Sequence, residues 1–141
     1  MTQTMHVISH THWDREWYRP FQVFRARLVE VVDAVLAMLE STPDYRFYHL
    51  DGQTIVLDDY LQIRPERAES LKRFIAEGRL LVGPWYTQPD EFLVSGESMV
   101  RNLLLGQRAA RAFWRVHGYW LSAGLVRACQ PDAADLLRIW V

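Results

Sequence analysis

The stretch SHTHWDREW, residues 9–17, follows directly on the apolar run Met5-His6-Val7-Ile8. Two histidines, two acids and two tryptophans fall within it. A short run of buried-strand type that ends in such a cluster predicts a strand delivering chemistry to its C-terminal end. The same juxtaposition recurs twice. YRFYHL, residues 45–50, reads as a second strand closed by Asp51-Gly52, and RLLVGPWY, residues 79–86, as a third that runs into the polar loop TQPDEF.

Helices separate these strands. From residue 24 to residue 40, Leu28, Val31, Val32, Val35, Leu36 and Leu39 recur at the three- and four-residue intervals of an amphipathic helix, which Ser41-Thr42-Pro43-Asp44 ends. A short helix over residues 53–61 is expected next. Pro65 suits the first turn of another, because its missing N–H costs nothing there. That helix turns Leu71, Phe74 and Ile75 inward and stops at Gly78, in a left-handed C-terminal conformation. A last helix, residues 98–112, carries Val100, Leu103 and Leu104 as its apolar side. Strands alternating with helices predict βαβ units and an α/β fold with a parallel sheet. Ligands in such folds bind at the C-terminal strand ends. Those ends carry His10, His12 and Asp14, then Asp51, then Trp85, Asp90 and Glu91.

Bulk properties narrow the function. The 141 residues, 50% hydrophobic and 13% aromatic, suffice for one domain with a real core. A formal net charge of -1 offers no basic surface, so nucleic acid is not an expected partner. The single Cys129 excludes an intrachain disulfide framework. No signal peptide and no bilayer-spanning run are read, so the expected location is cytoplasmic and no membrane partner is expected.

Imidazole and carboxylate are ordinary zinc ligands, and alternation places His10, His12 and Asp14 on one side of an extended segment. The competing reading has both histidines bonded within the loop and Asp14 paired with Arg15 or capping a turn. Trp17 and Trp85 could stack on sugar rings beside Asp51, Asp90 and Glu91, or could pack under the rim of the sheet. Asp58-Asp59 reads as a solvated helix face. His6 and His49 read as satisfied structural histidines, and His117 is unassigned.

Taken together, HTHWDREWY, LDGQT, GPWYTQPDEFLVSGES and RNLLLG resemble the bacterial α-mannosidases of glycoside hydrolase family 38, including the branch that cleaves mannosylglycerate-type substrates. The likeness runs from His6 to Phe113. It implies a seven-stranded parallel β/α barrel-like catalytic domain, present here as about three βα units, with one zinc ion at the strand ends. It further implies hydrolysis of α-mannosides with retention, through a covalent mannosyl-aspartate. Carried over by position, His12 and Asp14 become zinc ligands and His10 a neighbour that shapes the loop. Trp17 matches the tryptophan lining the mannose pocket. Asp51, Trp85, Asp90 and Glu91 fall in matching motifs, and Asp51, Trp85 and Asp90 join Trp17 as expected substrate-binding residues. The full-length enzyme is a candidate homo-oligomer.

The resemblance divides the chain into residues 1–113, the N-terminal part of the catalytic α/β domain, and a divergent tail, residues 114–141. In the family a strand reading Gly-Tyr-Leu-Pro-Asp-x-Phe-Gly-His follows, whose aspartate is nucleophile and third zinc ligand. Here the tail reads WRVHGYWLSAGLVRACQPDAADLLRIWV. Residues 120–125 can be encoded TGG-TTA-TCT-GCC-GGA-CTC, a choice among synonymous codons that spells Gly-Tyr-Leu-Pro-Asp when read one base later. GTT-CGG-GCA-TGT-CAG-CCA for residues 126–131 then continues Ser-Phe-Gly-His. A single-base slip near residues 113–118 is therefore expected, and the nucleotide sequence decides it. On this reading the chain holds no catalytic residue, grips zinc weakly, and is inactive alone. The alternatives are a non-catalytic carbohydrate- or metal-binding module and, more remotely, a metal-dependent polysaccharide deacetylase, in which GPWYTQPDEFLVSGES has no recognised counterpart.

Overall fold

In a computed structural model that describes residue 5 and residues 7–113, the chain is a three-stranded parallel sheet with helices between the strands. The order is β1 (His10–Thr11), α1 (Phe21–Ser41), β2 (Tyr48–Leu50), α2 (Ile55–Leu61), α3 (Ala68–Ala76), β3 (Leu80–Leu81) and α4 (Gly96–Phe113), with a 3-10 turn at Pro65–Arg67 leading into α3. Sheet order is β1-β2-β3. His10 pairs with His49 and Thr11 with Leu50, while Tyr48 pairs with Leu80 and His49 with Leu81. The α/β class and parallel pairing agree with the sequence reading. His6, His117 and residues 114–141, whose expected roles are given above, lie outside the described residues.

Helix α1 buries Phe24, Leu28, Val29, Val32, Val35, Leu36 and Leu39, the stripe its periodicity predicts with Phe24 and Val29 added and Val31 only half-buried at its margin. All of the buried ones but Phe24 join Leu50, Tyr60, Leu71, Phe74 and Leu80 in one core. Tyr60 donates to Asp33 Oδ1 at 2.6 Å, fastening α2 to α1 within this apolar surround. Gly78, at φ 69°, ends α3 as expected. Its N–H bonds the Ile75 carbonyl and the Arg79 N–H bonds that of Phe74, the paired bonds that satisfy a helix end when a glycine turns left-handed.

Three expectations need correction. The first strand lies at His10–Thr11, not at residues 5–8, where Val7 is exposed. Pairing to β2, and not apolarity, decides where a strand forms: the His49 N–H takes the Ser9 carbonyl. Helix α4 does not bury Val100 and Leu104, which are exposed; Gly106 and Ala110 are its buried residues. A Cβ on Gly106 would collide with the backbone of Pro84, Trp85 and Tyr86, so the helix seats on β3's exit by close backbone approach. Asn102 adds to the seat, accepting from the Tyr86 and Thr87 N–H groups.

Asp59 is the third. It is buried, with Arg15 Nε at 2.6 Å from Oδ2 and Nη2 at 2.9 Å from Oδ1. Asp58 beside it is held above the ordinary carboxylate range by burial and by the Asp59 charge. This forked pair ties the loop after β1 to α2. Arg15 is 40% exposed and can turn to water when Asp59 is removed, whereas Asp59, at 3%, cannot when Arg15 is removed. Arg15→Met should therefore cost about 3 kcal/mol and Asp59→Asn about 1 kcal/mol, the first because an unpaired charge stays buried. Urea unfolding of both variants checks the order. Equal costs would contradict the burial asymmetry.

Candidate functional site

The C-terminal ends of the three strands meet at one edge. Its floor is Asp51, immediately after β2, a residue at φ 44° in the left-handed region that aspartate tolerates better than most. Asp51 is 6% exposed. Its Oδ2 accepts from the Trp13 N–H at 2.6 Å and from Gln53 Nε2 at 2.9 Å, and its Oδ1 lies 3.3 Å from His12 Nδ1. Gln53 Nε2 also donates to the Trp13 carbonyl at 2.7 Å. The loop after β1 is thus laced to the end of β2. Burial pushes the Asp51 carboxyl up from its ordinary value, and the Trp13 N–H and His12 pull it back.

Beyond this lacing, His12 Nε2 lies 3.7 Å from Asp14 Oδ1, and both side chains are about half exposed. A tetrahedral ion with nitrogen and oxygen ligands at ~2.1 Å sets neighbouring ligand atoms roughly 3.4 Å apart. A small contraction would let both atoms touch one ion. The donor set, one imidazole and one carboxylate, fits zinc in kind. Among the described residues no third histidine, cysteine, aspartate or glutamate joins them. His10 is exposed, with Nδ1 at 3.3 Å from the carbonyl of the next residue, Thr11, both within β1. Asp14 does not pair with Arg15, whose partner is Asp59.

A cleft of about 930 Å3 opens over this pair. His12, Asp14, Gln53, Gln88, Asp90 and Glu91 are among the residues lining it, with Phe92 at its rim. Arg15 and Phe21 contribute one wall, the guanidinium lying 4.6 Å from the ring centroid. Of the expected substrate-binding residues, only Asp90 reaches the cleft. Trp85 is 3% exposed and does not line it. Its backbone is held from both sides, the Trp85 N–H bonding the Gly52 carbonyl and the Trp85 carbonyl taking the Thr54 N–H. Trp17 is 76% exposed and meets Tyr18 edge-on at 5.5 Å, outside the cleft lining. Asp51 faces the loop backbone and lies under the site.

Sequence reading missed Gln53, Arg15 and Asp59. Gln53 sits inside LDGQT, and its burial at 3% marks it as structural glue for the site. An acid beside an acid on an otherwise apolar helix, Asp59, was the available signal for a buried ion pair.

The described residues contain no helix long and apolar enough to cross a membrane. Residues 2–121 match the model of the glycosyl hydrolases family 38 N-terminal domain. Over 113 residues the chain is 49% identical to a protein of Halalkalibacterium halodurans that carries the name "Putative mannosylglycerate hydrolase", covering 80% of this chain and 13% of that one. The crystal structure of an alpha-mannosidase from Enterococcus faecalis V583 superposes with a TM-score of 0.75 at 48% identity, over 78% of this chain and 12% of that chain. A second Enterococcus faecalis structure, described as a protein in glycosyl hydrolase family 38, gives 0.72 at 43% identity, over 82% and 13%. The chain therefore spans about an eighth of the length of the relatives it matches. The motifs at the strand ends, the parallel sheet that gathers them and these likenesses agree: the chain belongs to glycosyl hydrolases family 38, by way of that family's N-terminal domain.

Proposed function

We propose that this chain is the zinc-holding N-terminal part of a retaining α-mannosidase's catalytic domain, built to act on an α-mannoside of the mannosylglycerate type. The observation that carries the reading is the His12 Nε2 and Asp14 Oδ1 pair, 3.7 Å apart at the mouth of a cleft with acidic and aromatic walls. When bound, zinc would act as a Lewis acid toward sugar hydroxyls. His12 and Asp14 would hold it, and further donors would come from outside the described residues. Asp90 and Glu91 can accept hydrogen bonds from hydroxyls, and Phe92, exposed at the rim, offers a face to a sugar ring. The proposal extends to a seven-stranded barrel in the whole enzyme, of which residues 1–113 form the opening units and residues 114–141 a frame-shifted tail. A cytoplasmic location suits the single cysteine.

The test is zinc titration of the 141-residue chain together with hydrolysis of a chromogenic α-mannoside. One ion per chain is expected. His12→Ala and Asp14→Asn should each weaken it by more than about 100-fold, because losing a ligand exceeds the 10–100-fold cost of losing a ligand's hydrogen-bond partner. No turnover is expected from the chain alone. Zinc binding that is indifferent to both substitutions would overturn the metal reading, and hydrolysis lost in His12→Ala would overturn the expectation of inactivity. Saturable mannose binding without turnover would favour the carbohydrate-binding module instead.

A further inference from the structure

We propose that Asp51 is the positioning residue of the metal site, a carboxylate that selects which nitrogen of His12 faces Asp14. The inference rests on the zinc reading above and adds a role that the sequence motif did not reveal. The two ring nitrogens of His12 have different neighbours. Nδ1 lies 3.3 Å from Asp51 Oδ1, while Nε2 lies 3.7 Å from Asp14 Oδ1. A carboxylate beside one nitrogen of a neutral imidazole keeps the proton there, and the other nitrogen then presents its lone pair. Nε2 is thereby left as the donor atom, on the side where Asp14 stands.

Asp51 is held so that it can do this. Both of its oxygens are engaged: the Trp13 N–H of the loop and Gln53 Nε2 on Oδ2, His12 on Oδ1. The Trp13 bond matters most for aim, since Trp13 separates the two proposed ligands in sequence and is pinned through its N–H by Asp51 and through its carbonyl by Gln53. One buried carboxylate thus sets the ring orientation of His12 and the path of the backbone that carries Asp14. Asp51 itself is 6% exposed beneath the loop.

Asp51→Asn is the discriminating variant. Asparagine accepts the left-handed backbone at φ 44°. Its amide has a single acceptor oxygen, so it cannot serve both the Trp13 N–H and the His12 Nδ1–H from the two positions the carboxylate uses. Two measurements on the 141-residue chain follow. Zinc affinity, by competition with a chromogenic chelator, should fall about 10–100-fold in Asp51→Asn. In the metal-free chain, long-range 15N–1H correlation of the His12 ring should report the Nδ1–H tautomer, and Asp51→Asn should lose that preference while far-UV circular dichroism and a cooperative melt stay those of a folded chain. A purely structural role would leave the tautomer unmoved. Wild-type His12 with its proton on Nε2 would overturn the proposal without any variant. So would an Asp51→Asn chain with wild-type tautomer and wild-type zinc affinity. If His12→Ala also leaves zinc binding unchanged, the metal reading is what fails, and the wild-type tautomer still passes judgement on Asp51.

Discussion

Gly106→Ala should destabilise the chain by about 3 kcal/mol, at the upper end of what overpacking costs. The alanine Cβ would meet the Pro84 carbonyl oxygen, the Trp85 carbonyl carbon and the Tyr86 nitrogen, all of them backbone. None can yield freely. The Trp85 N–H is bonded to Gly52, its carbonyl to the Thr54 N–H, and the Tyr86 carbonyl to the Ile55 N–H. A shift there would pull on the entry to α2 as well as on the exit from β3. Intrinsic propensity runs the other way, because alanine inside a helix is favoured over glycine by about 1 kcal/mol. The sign of the measured change is therefore diagnostic. Gly96→Ala, at the start of the same helix with nothing within 4 Å of the added carbon, serves as the control and should be near neutral. Urea unfolding of the two variants settles it; a stabilised Gly106→Ala would mean that α4 does not lie against Pro84–Tyr86.

That helix also shows where sequence reading reaches its limit. Helices α1 and α3 were legible because large apolar side chains at helical spacing do the packing, and Leu71, Phe74 and Ile75 are buried as their spacing implies. In α4 Val100, Leu104 and Leu105 point to the outside, while Gly106, Ala110 and the Asn102 amide make the contact and only Phe113, at the helix end, packs a large side chain on the core. Hydrophobic periodicity has no weight for a glycine whose value is the side chain it lacks. The first strand was misplaced for a related reason. Residues 5–8 have strand composition, but the hydrogen-bond partner offered by β2 is opposite Ser9 to Thr11.

The candidate site divides the same way. His12 and Asp14 were legible as a pair because alternation along an extended segment is local. Asp51's true contact spans 39 residues and depends on a left-handed turn after β2, which no spacing rule anticipates. Trp85 read equally well as a sugar-stacking or a packing residue, because its burial depends on backbone bonds to Gly52 and Thr54, more than thirty residues earlier in the chain. Asp59 looked solvated because its partner Arg15 lies 44 residues earlier.

His49 should make the fold acid-labile well above the carboxylate range. Its side chain is 1% exposed in the central strand, and Nδ1 is buried with no partner among the described residues. Burial, and secondarily the charge of His10, pushes its pKa down from 6.5 to about 4. The folded chain therefore keeps this imidazole neutral over a range in which the unfolded chain takes up a proton. Above pH ~6.5 neither state is protonated and the group is silent. As pH falls from about 6.5 to 4, the unfolded state is progressively favoured, by about 3 kcal/mol at the lower end. His49→Leu keeps an apolar side chain of similar size in the strand and removes the titration. The difference in unfolding free energy between wild type and His49→Leu, followed by urea titration at successive pH values, isolates this residue from the carboxylates, which titrate in both. The two curves should diverge below pH ~6.5, wild type falling faster. Parallel curves would mean that the ring is reached by water or paired, and that His49 is protonated in the folded chain as readily as in the unfolded one.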